Sequence, residues 1–146
     1  MKKYLLLLII VAAPLLFYCS SGSVGDDSVY TGVLEVDAIA DDELFTLNNV
    51  DCGIELDEAN STMNLVMYDV KFAEKMPIKI TLTVKDIPCV ISEESVRFSF
   101  EGYKEPFWGI MQMPAYAFSK IEGVVSDNAL SFSATCTKGD FSFTTY

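Results

Sequence analysis

The 146-residue sequence contains no histidine, so it lacks the side chain that proteins use most often as a general base. Neither a Ser-His-Asp nor a Cys-His arrangement can form, and the Gly-x-Ser-x-Gly motif of serine hydrolases is also missing. Spacing along the chain does not identify a converging carboxylate pair of the glycosidase kind. We therefore assign no catalytic residue and expect no enzymatic activity.

Patterns for metals and cofactors are equally scarce. There is no Cys-x-x-Cys pair and no cysteine-histidine set. The acidic runs 41–43 and 57–58, the latter close to Asn60, offer oxygen ligands that calcium accepts, but neither has the spacing of an EF-hand. We interpret both as solvated turns, and we predict no metal site and no cofactor.

Cationic residues are few. The chain has 10 Lys and Arg against 21 Asp and Glu. Lys2 and Lys3 lie in an N-terminal stretch without acids, so the rest has 8 cations and 21 acids, a net charge of about −13. Nucleic acids and anionic membrane surfaces are bound mainly through Lys and Arg. We therefore predict no nucleic-acid partner.

The first nineteen residues have the features of an export signal. Lys2 and Lys3 precede an uncharged apolar run over 5–17 that Pro14 interrupts. As a helix these thirteen residues would span roughly 20 Å, which is too short for the roughly 30 Å core of a bilayer. The run therefore favours a signal over a membrane-spanning helix.

The stretch 15–22 is similar to a bacterial lipoprotein signal, in which the cysteine becomes the lipidated first residue. Leu16 suits the third position before Cys19, but Tyr18 departs from the small residue expected directly before it. The resemblance implies a signal peptide over 1–19, lipid attachment at Cys19 and an extracytoplasmic protein anchored in a membrane. The alternative is ordinary cleavage beside Ser20 or Gly22, which would release a secreted protein. Residues 20–28 are predicted to form a polar tether.

Period-two alternation dominates the chain beyond residue 28, and no long window has a helical stripe. Ile80, Leu82 and Val84, for example, alternate with polar or charged residues, which is typical of a strand with one buried face. Turn signals lie at 57–60, 126–128 and 138–140. We predict strands near 29–37, 43–48, 50–56, 62–72, 78–86, 95–101, 118–125 and 130–137, with a short ninth over 141–146.

Such strands must bury their apolar faces, either by closing into a barrel or by stacking as a sandwich. We predict that residues 29–146 form one all-β domain, a single antiparallel barrel of about eight strands, with a β-sandwich as the alternative. A final strand favours the barrel because it can pair with the first and remove the exposed edges.

Three cysteines lie beyond Cys19, in a compartment that permits disulfides. Cys136 alternates with buried-type residues and is expected to point into the core. Cys52 and Cys89 fall near predicted strand ends, so any disulfide is expected to join those two, although three pairings are open.

The segment 102–118 is the most distinctive part of the sequence. It is rich in aromatic residues and methionine and is interrupted by Pro106 and Pro114. Such residues in an irregular segment can border an apolar pocket, or they can plug one end of the barrel. The candidate ligand-binding residues are Phe107, Trp108, Met111, Met113 and Tyr116.

Several stretches resemble the calycin-like β-barrel proteins that Bacteroides-type bacteria export as small lipoproteins. These are the opening 30–34, the long strand 60–72 with Met76-Pro77, and the late hairpin 120–132. The resemblance implies a lipocalin-like barrel over 29–146 but supplies neither a function nor binding residues. The chain departs from true lipocalins because Leu34 stands where their first strand has tryptophan; the one tryptophan is Trp108.

Two functions remain open. In the first, the barrel is mostly filled by its own side chains, and the protein is a surface interaction or structural module with a protein partner. In the second, it holds a small apolar ligand inside the barrel. The bulky inward residues Ile80, Phe98 and Phe132 favour the filled barrel.

Overall fold

A computed structural model describes residues 27–39 and 43–146, which form strands joined by short connections and one turn of 3-10 helix. The predicted signal over 1–19, with Cys19, lies outside the described residues, as does most of the predicted tether. The first strand begins at Asp27, so the last two residues of that tether are strand residues.

The described part contains ten strands. Eight are long: β1 (Asp27–Ala38), β2 (Glu43–Asp57), β3 (Thr62–Val70), β4 (Ile80–Ile91), β5 (Ser95–Lys104), β8 (Phe118–Ser126), β9 (Ala129–Cys136) and β10 (Gly139–Thr145). Between β5 and β8 come two short strands, β6 (Phe107–Trp108) and β7 (Met111–Gln112), and the 3-10 turn η1 (Pro114–Tyr116).

The eight long strands close into an antiparallel barrel. Neighbours in sequence pair around it from β1 to β5 and from β8 to β10, β5 pairs with β8, and β10 returns to β1. This confirms the predicted all-β barrel of about eight strands, a closed barrel of the calycin type. Because the ladder from β1 to β10 closes the sheet, the alternative of two stacked sheets is wrong.

The barrel has two ends, which differ in their connections. At the lower end are the start of β1, the connections 58–61 and 92–94, the turn 127–128 and the end of β10. At the upper end are the end of β1, the connections 71–79 and 105–117, and the turn 137–138. The N-terminal segment therefore enters at the lower end, and the aromatic segment lies at the upper end.

One continuous strand replaces the two that were predicted over 43–48 and 50–56. Gly32 pairs with Val50 and Leu34 with Leu47, so two residues of β2 lie opposite one residue of β1. Asn49, one of these two, has a φ of 57°, and its N–H donates to the Tyr146 hydroxyl at 2.9 Å. This β-bulge shifts the alternation by one residue, which is why the sequence reads as two strands.

Two further bulges follow the same chemistry. In β3, the left-handed Asp69 donates its N–H to Thr81 Oγ1 at 3.1 Å. In β4, the left-handed Asp86 donates its N–H to Asn64 Oδ1 at 3.0 Å. Asn and Asp tolerate this backbone conformation better than other non-glycine residues, and a bulge bends and twists its strand. The three bulges thus lie on three neighbouring strands and help to curve the sheet towards closure.

The interior is filled by side chains. One continuous cluster of buried residues takes an inward residue from every long strand and includes the predicted Ile80, Leu82, Val84, Phe98, Leu130, Phe132 and Cys136. Aromatic rings occupy much of it: Phe118 packs edge-on against Phe141 at 5.6 Å between centroids, and Phe132 stacks on Phe143 at 5.6 Å. A barrel of eight strands is just wide enough for its own side chains to fill it.

Close approach of β1 and β10 requires glycine at position 32. A Cβ built on Gly32 would come within 3.0 Å of backbone atoms of Thr144 and Thr145 on β10. Backbone cannot move aside as a flexible side chain can, so any larger residue would push the two closing strands apart.

We predict that Gly32→Ala lowers the free energy of unfolding by about 2–3 kcal/mol through this overpacking. The matched control is Gly53→Ala in β2, whose Cβ would come closest to the Tyr68 side chain, at 3.2 Å, and would lie at an ordinary contact distance of 3.6 Å from Ser28 O. Tyr68 is partly exposed and can turn outward, so the control should cost less than about 1 kcal/mol. Urea unfolding of both variants measures the difference; equal losses would contradict the proposed role of Gly32.

Candidate functional site

The aromatic segment forms a small hairpin on the wall of the barrel. Phe107 pairs with Gln112 and Trp108 with Met111 around a tight turn in which Gly109 has a φ of 66°. Phe107 also pairs with Thr83, which attaches the hairpin to β4. The prediction treated this stretch as irregular because each strand is only two residues long.

The hairpin pairs with an edge of β4 that β5 leaves unpaired, and Pro88 is the reason that β5 does not continue along it. β4 pairs with β5 only over Cys89, Val90 and Ile91. The N–H of Cys89 donates to Ser61 O on the β3 side, so the nitrogen of Pro88 faces β5. Proline has no N–H to donate, and the ladder to β5 ends there. Above this point the edge of β4 is available to β6.

The hairpin presents large apolar side chains to solvent. Ile110 at the turn is 99% exposed, Met111 59% and Trp108 40%. Phe107 is held differently, because Lys85 Nζ lies 4.3 Å from the centre of its ring. Exposed apolar residues scattered singly are ordinary, whereas a cluster of them on one element makes that element a candidate interaction surface. We refer to residues 107–112 as the apolar hairpin.

The five candidate ligand-binding residues do not converge on one pocket. Phe107, Trp108 and Met111 belong to the apolar hairpin, whereas Met113 and Tyr116 are partly buried and pack against the core. Their separation follows from η1, whose N–H groups at Tyr116 and Ala117 bond to Met113 O and Pro114 O. That turn carries the chain from the wall to the upper opening of the barrel.

The upper opening holds an apolar depression of about 480 Å³, which we call the mouth pocket. Phe72 and Tyr116 lie against each other at 5.2 Å between ring centroids, and Phe72 also packs on Phe141 in the core at 5.2 Å. The rings therefore separate the mouth pocket from the filled interior. The pocket is lined by Ile39, Phe72, Ala73, Lys75, Met76, Tyr116, Thr137 and Lys138.

Three connections hold the mouth pocket in shape. Met76 donates its N–H to Ala73 O at 3.1 Å, and its sulfur accepts the N–H of Phe72 at 3.4 Å, which folds the connection 71–79 back on itself. Ile39 donates its N–H to Lys138 O at 3.0 Å. The Thr137 hydroxyl donates to Ala115 O, which ties η1 to the turn between β9 and β10.

Charge is distributed unevenly between the two ends. The lower connections contain Glu58, Glu93, Glu94 and Asp127 and no Lys or Arg. The upper connection 71–79 contains three lysines and one acid, Glu74, and the turn 137–138 adds Lys138. Four of the eight cations within residues 27–146 thus lie in these two upper segments, and the upper connection 105–117 adds one acid, Glu105. Two of the four, Lys75 and Lys138, line the mouth pocket.

Sequence reasoning found only Tyr116 of the mouth pocket. Phe72 was predicted to end the strand 62–72, Met76 was noted only beside Pro77, and Lys138 was placed in the turn 138–140. Lys75 was part of no prediction. The signal was present in the stretch 71–79, where two large apolar residues four positions apart stand among three lysines. What the sequence does not show is that 71–79, η1 and 137–138 meet at one end of the barrel.

Other depressions lie on the outer wall, and two of them have volumes of about 580 and 300 Å³. Both lie over β8, β9 and β10, where the outward residues are mainly short, such as Ser131, Ser133 and Ser142. Charged residues such as Glu35, Arg97 and Glu122 line them, and neither combines a floor of two contacting aromatic rings with two lysines beside it, as the mouth pocket does. The mouth pocket and the apolar hairpin are therefore the stronger candidates.

The predicted disulfide between Cys52 and Cys89 is not formed, and all three described cysteines are buried free thiols. Cys52 lies opposite Met67 on β3, whereas Cys89 follows Pro88, which lies opposite Thr62. Five residues along β3 correspond to about 17 Å. A disulfide needs Cα atoms within about 7 Å, so the register keeps the two cysteines apart.

The acidic turn 57–60 closes on itself. Asp57 accepts the Asn60 N–H at 3.3 Å and the Asn60 side-chain amide at 2.8 Å, which ties the connection from β2 to β3. Across 27–39 and 43–146, no three acidic or cysteine side chains are grouped to hold a metal ion.

In these same ranges, no helix has the length and apolarity to cross a membrane.

These features define a class: a closed, eight-stranded, calycin-type barrel with a filled interior, an apolar hairpin on its wall and a cation-rimmed pocket at one opening. No protein-family model, curated protein or solved structure matches the chain.

The thiol of Cys52 leads to a prediction for alkaline pH. Burial, assisted by the carboxylate of Asp51, raises its pKa far above the ordinary value. A raised thiol pKa contributes stability below the unfolded pKa of about 8.5 and loses it as pH rises towards the folded pKa, because only the unfolded thiol ionises. Between pH 8 and 10, the folded state should lose about 2 kcal/mol through this group.

Cys52→Ala removes the group and should flatten the pH dependence of the free energy of unfolding by that amount. Urea unfolding of both proteins at the two pH values measures the slope, and the difference between them cancels the lysine and tyrosine titrations common to both. Identical slopes would contradict a buried, protonated Cys52.

Proposed function

We propose that this protein is an exported interaction module whose barrel is a solid scaffold and whose apolar hairpin contacts a protein partner. The observation that carries the proposal is the exposure of Trp108, Ile110 and Met111 on one projecting hairpin. Aromatic residues and methionine are enriched in protein interfaces, and a rigid platform lowers the entropy lost when they bind.

The filled interior supports this proposal over a ligand held inside the barrel. Leu34, Leu82 and Ile121 are completely buried in the centre, and the Phe72–Tyr116 pair covers the upper opening. A ligand would have to displace several such side chains, each worth roughly 2–5 kcal/mol of stability. Contact through the outer surface requires no such rearrangement.

The second part of the proposal is that the protein is exported and anchored to a membrane through a lipid on Cys19. The leader over 1–19, the lipoprotein-like Cys19 and the resemblance to exported calycin-like barrels support a location outside the cytoplasm, at a membrane. β1 begins at the lower end, whereas the apolar hairpin branches from the upper half of β4. A lipid on Cys19 would therefore leave the upper half of the molecule turned away from the anchoring membrane, where a partner can reach it.

The contact surface can be tested with a photo-crosslinking residue at position 110 in the cells that produce the protein. Ile110 is 99% exposed, and the control position, Val90, is 70% exposed on β4 near the lower end. We expect a discrete protein adduct from position 110 and none from position 90, and we expect Trp108→Ser to weaken the first. The same adducts from both positions, or none from position 110, would argue against the hairpin as the contact.

The anchor can be tested separately. Cys19→Ala removes the only sulfur that the lipoprotein signal would use, so it should abolish lipid labelling and move the protein from the membrane fraction to the soluble one. Cys136→Ala is the matched control, since this buried thiol should not be lipidated. If the Cys19→Ala protein still sediments with membranes, the lipid anchor is wrong, although the hairpin contact would still stand.

A further inference from the structure

The mouth pocket combines an apolar surface with a cationic rim. Its floor is formed by the rings of Phe72 and Tyr116, and Met76 and Ile39 supply aliphatic side chains at its sides. Met76 can change its shape to fit an apolar chain because its side chain is unbranched and flexible. At about 480 Å³ the depression lies within the range of small-molecule sites.

Two lysines of the pocket have no acidic partner among the described residues. Lys138 Nζ lies 5.3 Å from the centre of the Tyr116 ring, over the floor, and Lys75 stands on the opposite connection. The described part of the chain has one ion pair, between Lys120 and Glu122, and it lies on β8. The ammonium groups of Lys75 and Lys138 are thus available to an anion that settles on the pocket.

From this combination we propose that the mouth pocket binds a small anionic amphiphile, a molecule with one aliphatic tail and one carboxylate-like head. The tail lies on Phe72, Tyr116 and Met76, and the head lies between Lys75 and Lys138. A neutral molecule with the same tail would gain only the apolar contacts. The site is independent of the apolar hairpin, so either proposal can fail without the other.

The charge of the rest of the protein makes this arrangement selective. A net charge of about −13 beyond residue 19 repels anions from most of the surface, whereas the described lining of the mouth pocket contains two lysines and no acid. Charge-assisted hydrogen bonds from lysine to a carboxylate are shorter and stronger than those between neutral groups. The head group therefore decides which apolar molecules are retained.

The test compares dodecanoate with dodecanol, both below the concentration at which they aggregate, on protein in detergent-free buffer. Binding is followed by NMR of methionine methyl groups, because Met76 lines the mouth pocket and Met111 lies on the apolar hairpin. We expect dodecanoate to shift the Met76 methyl signal and leave Met111 in place, with dodecanol binding about tenfold more weakly or more. Equal binding of the two molecules, or a shift confined to Met111, would overturn the proposal.

Substitutions test whether Lys75 and Lys138 bind the carboxylate of dodecanoate. Lys75→Gln with Lys138→Gln should weaken dodecanoate binding about tenfold or more and leave dodecanol unchanged, whereas Lys75→Arg with Lys138→Arg should retain it. The control, Lys85→Gln with Lys104→Gln, removes the same charge beside Phe107 and Phe100, outside the pocket, and should change the Kd less than twofold. The melting temperature of each variant confirms that it is folded; unchanged dodecanoate binding in the folded Lys75→Gln/Lys138→Gln protein would overturn the proposal.

Discussion

Closure of the sheet between β1 and β10 is the constraint on which the rest of the structure depends. The ladder from Gly32–Thr145 to Ala38–Gly139 removes the two edges that an open sheet would expose. Closure needs curvature, and the left-handed Asn49, Asp69 and Asp86 supply bulges on three neighbouring strands. The N–H groups of these three residues donate to side-chain oxygens, those of Tyr146, Thr81 and Asn64 respectively, so these donors are not left unpaired.

A closed barrel of this size determines where function can reside. Its interior is occupied by its own side chains, and the Phe72–Tyr116 pair seals the upper opening. The proposed contacts are therefore on the surface, and the upper half of the molecule carries both the apolar hairpin and the mouth pocket. Pro88 exposes the edge of β4 that receives the apolar hairpin, while the connections beside the mouth pocket carry the lysines. The lower end, where β1 begins, has acidic connections.

Alternation was enough to predict the all-β class, the barrel and most strand positions, because a half-buried strand has to repeat every two residues. It failed at Asn49, where one extra residue reverses the alternation and divides β2 into two apparent strands. It also failed for the pair Cys52 and Cys89, because register across β3 is a property of the folded sheet. The site was harder still. Phe107 and Tyr116 are close in sequence, yet Phe107 lies on the apolar hairpin and Tyr116, at the end of η1, lines the mouth pocket. Phe72 and Lys138 are distant in sequence and line the same pocket.

Residue-resolved hydrogen exchange tests the closed, filled barrel most directly. The account predicts that hydrogen-bonded amides of β1 and β10 exchange only through global unfolding, as slowly as those of β8 and β9, because the closing ladder belongs to the same cooperative unit. Amides of the projecting turn at Gly109 and Ile110 should exchange much faster. Rapid exchange along β1 and β10, with protection confined to β8 and β9, would mean that the sheet is open and would contradict the account.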